Sequence, residues 1–455
     1  MKNLYLFGNT KINLLLLVDI TLIVYLTVIV SDFSSLDDTA LMEEFQHTAS
    51  FSSLVHSSGS TYLRPLTMIS YLVDYILWGA NPVFFHWTNL VIHLCNACLV
   101  YYLSCLYLSQ EKGREGVSLL AALFFAITPL NSESVAWVSG RTDLICTFFF
   151  LVSIVVLISK DLPPVTGFLY LFIAFFCSLI AKESSLALTV IVPLYLFFVQ
   201  GRSITSKFGL CGAVLLSSLL YLILRAGPNV KTDTGIMKLL VSASGQPLYN
   251  LFFKSVAAFG FYVRKLVWPF PLNLAIHDIN EPLYFSVGLV AIVVAVPFFV
   301  RFPASRLPLL IMLTCLIPPL LALTAKIPWT LYAERYLYLS TTGMALLVGL
   351  ALIPCRSITL ILVYLLLIPL GISTIYRTGQ WAEPVTLWHD TTVKSSGFPQ
   401  ARVIYAYELI QVGRIAEAEE NIMLARRMKF ENELLLKCES SIIKLKRASR
   451  QRSST

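Results

Sequence analysis

Charge is what this sequence has least of. Only 13% of its 455 residues are Asp, Glu, Lys or Arg, whereas a soluble domain carries about 25%. With 57% hydrophobic residues and a mean hydropathy of +0.75, the composition excludes a soluble enzyme, a nucleic-acid-binding protein and a disordered chain. Most of the chain must sit in lipid. A disulfide pattern is also lacking: of nine cysteines, all but Cys438 fall in or beside apolar runs, and no Cys/His spacing suits zinc. A cleavable leader is not expected, because Ile12 to Val30 is long enough to span and no small-residue cleavage site precedes Asp32. The net charge of +8 is no nucleic-acid signature in so apolar a chain. Lys and Arg here set topology and meet head groups or phosphates.

What is present is a series of long apolar runs. A span needs about 20 apolar residues. About eleven are predicted, near 12–30, 88–108, 117–130, 143–159, 165–181, 184–200, 208–224, 283–300, 307–325, 336–354 and 357–375. If the N-terminus, with Lys2 and Lys11, is cytoplasmic, the short loops on that side carry Lys112 and Arg114, Lys160, Arg202 and Lys207, Arg301 and Arg306, and Arg356. That matches the positive-inside rule. The run 246–267 is rejected as a span because Lys254, Arg264 and Lys265 would lie in it, so a surface helix pair is cheaper. Three units follow: a membrane domain over 1–375, with outer loops at 31–87 and 225–282; an outer helical segment over 376–446; and a disordered basic tail over 447–455.

Within the first outer loop, 61–79 has apolar Leu63, Leu66, Ile69, Val73 and Leu77 at helical spacing, with Arg64, Thr67, Tyr71, Asp74 and Trp78 on another face. Such a helix suits a membrane surface. In the tail, two short helices meet at Val412-Gly413-Arg414. The first carries Tyr405, Tyr407 and Leu409 and the second Ala418, Ile422 and Ala425, as in one tetratricopeptide-type unit. One unit is too few for a free solenoid, so it is expected to pack on the membrane domain.

Scarce polar groups cluster on the predicted outer side, and each cluster admits two readings. Asp37-Asp38 could bind a metal or supply a general base, or form a solvated acidic turn with Glu43 and Glu44. Glu133, Arg141 and Asp143 lie between two apolar runs, as functional groups or as an internal Arg141–Asp143 or Glu133–Arg141 staple. Lys182-Glu183 and the Glu334-Arg335-Tyr336 block could hold a phosphate, or snorkel and anchor at the interface. His86 and His93 are expected in helix packing. Asp19, inside the first span, marks a functional site unless a neighbouring helix hydrogen-bonds it.

In chain order, the stretch from Arg64-Pro65-Leu66 to Leu103, PLNSESVAWVSGRTDL, AKESSLAL, ERYLYLS and RTGQWAEPVTLWHDT resemble the transmembrane-and-tetratricopeptide-repeat O-mannosyltransferases and their bacterial relatives, which have the GT-C glycosyltransferase fold. The likeness runs from about Asp37 to Ala425. It implies an all-α polytopic membrane protein with outer amphipathic helices and a short helical tail. It also implies an enzyme that takes a sugar, mannose by the family's name, from a polyprenyl or dolichyl phosphate. The acceptor would be a hydroxyl of a protein, often Ser or Thr, or of a glycan, on the exoplasmic side.

The family's acidic motif falls on Asp37-Asp38, as general base. Its Arg-Pro-Leu helix falls on Arg64 to Asp74, and its Glu-Arg-Tyr motif on Glu334-Arg335-Tyr336. Chemistry then asks for cations at the leaving phosphate, and Arg64, Arg141, Lys182 and Arg335 are the candidates. Glu133, Asp143, Glu334 and Tyr336 would orient them. No metal ligand is assigned; a divalent cation, Mg or Mn, is compatible but not demanded. One departure stands out: Thr128 and Asn131 occupy positions where relatives carry histidines.

Other readings are a transporter or flippase, suggested by Pro193, Pro297, Pro318-Pro319 and Pro369 in spans, and a non-catalytic subunit whose tail recruits a protein partner. The membrane would be a bacterial inner membrane, or the endoplasmic reticulum in a eukaryote. The lack of an Asn-x-Ser/Thr sequon on outer segments sits more easily with the former.

Overall fold

The computed structural model describes residues 9–48, 63–109, 111, 114–159, 161–198, 203–225, 247–324, 330–355 and 357–453. Lys2, Lys112, Lys160, Arg202 and Arg356, and much of the 225–282 loop, lie outside the described residues. The described chain is all-helical, with one antiparallel bridge between Ile276 and Tyr332.

The path begins with α1 (Thr10–Tyr25), capped by Asn9, whose side chain accepts from the Lys11 amide at 2.9 Å. A 3-10 turn extends it to Val30. Then come α2 (Asp38–Thr48), α3 (Pro65–Trp78) and α4 (Pro82–Tyr107). Gly79, at φ 63°, ends α3, and Asn81 caps α4 with Pro82 in its first turn. Next are α5 (Arg114–Ile127), α6 (Ser132–Ala136), α7 (Arg141–Ile158), α8 (Pro164–Ala181), α9 (Leu188–Phe198) and α10 (Ile204–Arg225). The second half holds α11 (Leu248–Val267), α12 (Glu281–Arg301), α13 (Arg306–Thr314), α14 (Ile317–Thr324), α15 (Tyr338–Leu352) and α16 (Ser357–Ala382). The tail forms α17 (Pro384–Lys394), α18 (Pro399–Gln411), α19 (Ile415–Arg427) and α20 (Glu433–Ser453).

Nine helical stretches among the described residues are long and apolar enough to cross a membrane, or ten if the bent pair Arg114–Ile127 and Pro129–Ala136 is one span. The eleven predicted runs all fall on apolar helices. Two of them do not meet the length test as single straight helices. Pro129 bends the third by 44°, and the stretch Glu183–Phe198 is short. The rejected run 246–267 is helical as α11 but is not among the candidate spans, as its three cations require. One face of it buries Ala258, Phe261, Tyr262 and Leu266 against Leu130, Leu316 and Leu337, while Tyr249, Phe252 and Val267 stay exposed.

Three expectations shift. The last span continues to Ala382, so the tail begins after 382 and not at 376. The segment 447–455, expected to be disordered, is helical to Ser453, because α20 buries Leu435, Cys438 and Ile442 and ties Lys446 to Glu419 at 2.5 Å. Amphipathic α3 turns Thr67, Tyr71 and Asp74 into the protein and leaves Val73, Ile76, Leu77 and Trp78 exposed. Its polar face is the one that packs, as suits a helix lying at a lipid interface.

The tail does pack on the membrane domain. Its buried Leu387, Trp388, Ala401 and Leu409 continue the same apolar core as the bundle. Asn273 Nδ2 donates to Ser395 Oγ at 2.8 Å and Lys394 Nζ to the Leu272 carbonyl at 2.8 Å. The α18–α19 pair turns at Gly413, whose φ of 78° is left-handed.

Helices α11 and α12 touch backbone to backbone at Gly260 and Gly288. A β-carbon at Gly260 would collide with the Tyr284 carbonyl and the Gly288 amide. Gly260→Ala is therefore expected to cost about 1–3 kcal/mol, while Gly209→Ala, which meets open space on α10, is not expected to destabilise. Thermal unfolding of the purified variants in detergent reads this; equal melting temperatures would refute the close crossing.

Candidate functional site

One end of the bundle gathers nearly every charge that is not a surface charge. The chain arrives there through the loop that leads into α2, the start of α3, the bent segment 128–143, the turn at 182–187 and the segment 330–337. Each brings polar side chains that lipid would reject, and they satisfy one another.

Arg335 Nη1 donates to Glu133 Oε1 at 2.5 Å, and its backbone amide to the other oxygen at 3.2 Å. Its guanidinium lies 5.1 Å from the centroids of both Trp137 and Tyr336. Lys182 Nζ pairs with Asp143 at 2.6 Å and stands 5.8 Å from the Tyr336 ring. Arg64 clasps Glu183 through two bonds, at 2.7 and 3.2 Å. Glu334 accepts from Lys265 at 2.6 Å and from the Asn273 amide at 3.0 Å. Tyr336 thus stands between two cations, and Glu133, Asp143 and Glu183 each hold a different one.

Arg141 is placed differently. It is fully buried and pairs with Asp74 at 2.6 Å. It also bonds Asn89 Oδ1 at 2.7 Å and the carbonyls of Phe85 and Ser70 at 2.9 and 3.2 Å, and it lies over the Tyr71 ring. It staples α3 and α4 to α7. The internal pairs Arg141–Asp143 and Glu133–Arg141 do not form; all three side chains choose partners distant in sequence.

The adjacent carboxylates separate into two roles. Asp38 is buried and accepts three bonds, from the Ser139 amide at 3.0 Å, Ser139 Oγ at 2.5 Å and the Ser34 amide at 3.1 Å. Burial nevertheless pushes its carboxyl up to about 6. Asp37 is reached by solvent, yet the surrounding protein strips enough water to raise its carboxyl above the usual value. The nearby Arg335 and Arg64 charges oppose that rise. No hydrogen bond fixes its carboxylate among the described residues. Asp38 holds the loop in place, and Asp37 is presented.

Asn131 and Thr128 have structural roles. Asn131 is buried, donates to the Phe125 carbonyl at 2.8 Å and accepts from Thr341 at 3.2 Å, while buried Thr128 precedes the Pro129 bend. His93 bonds the Tyr338 hydroxyl at 2.7 Å and the Ala126 carbonyl at 3.0 Å, in keeping with helix packing. Three residues of the site were not singled out from the sequence as partners. Asp74 entered only through helix patterning, and Lys265 only as a cation that argues against a span. Glu408, on α18, bonds Ser35 Oγ two residues before Asp37 and escaped notice because its partner is 373 residues away. Among the described residues no group of three His, Cys, Asp or Glu side chains is disposed to hold a metal.

By fold, the chain is a multi-pass, all-α membrane protein. Its relatives in sequence are the TMTC O-mannosyl-transferases, so the resemblance read from the motif order holds. It is 36% identical over 126 residues to protein O-mannosyl-transferase TMTC4 of Homo sapiens, across 26% of this chain and 17% of that one. It is 27% identical over 158 residues to TMTC1 of Homo sapiens, across 32% and 18%. It is 26% identical over 208 residues to a Caenorhabditis elegans protein O-mannosyl-transferase, across 43% and 29%. The matches therefore take in less than a third of those relatives' length. A solved structure similar in outline is ArnT from Cupriavidus metallidurans bound to undecaprenyl phosphate, at a TM-score of 0.44 and 14% identity over 94% of this chain and 77% of that one. No protein-family model matches the chain.

Because Asp38 is raised from 3.8 to about 6, its contribution to stability is full below the ordinary value and is lost as pH rises through about 6. Asp38→Asn is expected to flatten the melting-temperature profile between about pH 4 and 7. Parallel profiles for the variant and the parent would show that the group does not titrate in its buried place.

Proposed function

We propose that the chain is an inverting membrane glycosyltransferase of GT-C type. It moves a sugar, mannose by its relatives' activity, from a polyprenyl- or dolichyl-phosphate donor to a protein hydroxyl. The observation that carries this reading is Asp37: a solvent-reached carboxylate with no fixed bond, in the field of Arg335 and Arg64, at a bundle end lined with paired cations. A Ser or Thr hydroxyl attacks poorly until a carboxylate takes its proton. Asp37 takes that proton as the acceptor oxygen bonds the anomeric carbon. The bond from that carbon to the phosphate oxygen breaks on the opposite face, and its electron pair leaves on the phosphate.

Arg64, Lys182 and Arg335 receive that charge. Each is already held by a carboxylate, so little reorganisation is needed when charge develops. Glu133 and Asp143 orient Arg335 and Lys182, Glu334 ties the Arg335 segment to α11, and Tyr336 fills the space between the cations. Arg141 serves as a staple rather than a phosphate ligand in this scheme. The donor's chain enters from lipid beside α3, whose apolar face is turned outward. The site faces the exoplasmic side, with the N-terminus in the cytoplasm and the tail beside the site, where it contributes to acceptor or partner binding.

The test is transfer from a polyprenyl-phosphate mannose to a Ser/Thr peptide by the full chain in vesicles. Asp37→Asn is expected to lower the rate by about 10²- to 10⁴-fold while donor binding survives. Because the Asp37 carboxyl is raised and the base must be ionised, the parent's rate falls as pH drops through a value above the ordinary carboxylate range. Full activity in Asp37→Asn would remove the base assignment. Donor binding without any transfer by the parent would overturn the reading.

A further inference from the structure

One charge deep inside a membrane span stands apart from the pairs at the bundle end. Asp19 sits nine residues into α1, about 13 Å along a helix that rises 1.5 Å per residue. That places it near the middle of the span Thr10–Val30. Its helix docks on the bundle through Asn13, Leu17, Thr21 and Val24, all buried, against α4, α5 and α16. Asp19 lies two residues beyond Leu17, about 200° round the helix, and faces away from the bundle. Among the described residues no hydrogen bond or ion pair reaches its carboxyl. Carboxylates at this depth cost several kcal/mol and in membrane proteins face the bundle interior or a water-filled cavity, paired with another group. Here the interior side is occupied by Asn13, which bonds the Tyr101 hydroxyl at 3.1 Å, and by Thr21, which bonds the Leu17 carbonyl.

The surroundings of Asp19 on the outward face are equally ordered. Ile12, Leu15, Ile23 and Leu26 are all exposed and fall with Asp19 at intervals of three and four residues. That is the seam spacing by which one helix packs along another. A single acid in such a seam is complemented by a single cation at matching depth, and polar pairs of this kind hold spans together in lipid.

We propose that the outward face of α1 docks a membrane-spanning helix of another protein that carries a Lys or Arg at mid-depth, paired with Asp19. The partner's cation removes the lone charge from lipid, and the apolar seam aligns the two helices. This surface lies on the face of α1 turned away from its packing partners, so the inference stands apart from the proposed chemistry.

The full chain in bicelles is titrated with two synthetic spans of about 21 residues, Leu/Ala throughout, one with Lys at its centre and one with Leu there, and association is read by energy transfer. The Lys span is expected to bind at least 5-fold tighter, in line with polar contacts between membrane helices. Asp19→Leu is expected to abolish the preference without lowering the melting temperature, since the side chain makes no contact. Asp19→Lys is expected to transfer the preference to a span with a central Glu. Equal binding of the Lys and Leu spans would overturn the proposal. So would peptide-free self-association that Asp19→Leu removes, which would assign the face to a second copy of the chain.

Discussion

Lipid cannot solvate charge, and the site end of this protein is arranged around that fact. Glu133–Arg335, Asp143–Lys182, Asp74–Arg141 and Glu334–Lys265 are all buried pairs, and each joins segments far apart in sequence. Removing one partner from such a pair strands a charge that nothing nearby can hydrate. The pairs therefore fix the relative placement of the bent segment 128–143, the 182–187 turn and the 330–337 segment more tightly than apolar packing would. A site end built in this way arrives preorganised, because its cations are already oriented by their partners.

The same constraint explains why so much could be read from the sequence. Apolar runs are long because a bilayer is about 30 Å thick, so the helices at 12–30, 88–108 and 208–224 declared themselves. Asp37-Asp38, Arg64, Glu133, Lys182 and Arg335 stood out because charge is rare in the chain, and the structure brings all of them to one end. The partnerships stayed hidden. Sequence proximity suggested Arg141–Asp143, yet Arg141 reaches back to Asp74, because a helical Asp two places on points to another face. The bend at Pro129 and the buried role of α11 were hidden for a related reason. Both depend on which helix lies alongside, and a single strand of sequence does not record its neighbours.

Separating Asp37 from Asp38 also required coordinates. As adjacent carboxylates they are alike in sequence. One is consumed by Ser34 and Ser139, and the other is left facing the cations. The division is economical, since the buried acid fixes the backbone that presents the exposed one. Asn131 makes a similar point. Its two bonds, to the Phe125 carbonyl and from Thr341, fix the turn two residues before Glu133.

The bond from Ser35 to Glu408 has a consequence for biogenesis. The loop that presents Asp37 is made before the helix that supports it from the other side, 373 residues further along the chain. The acidic loop therefore waits for the rest of the protein to be inserted before its last side-chain support arrives. A chain that stalls or is cut before residue 399 keeps its spans and its cations but lacks the brace behind its presented carboxylate. The acidic loop thus gains its full support only in a molecule synthesised past the helix that carries Glu408.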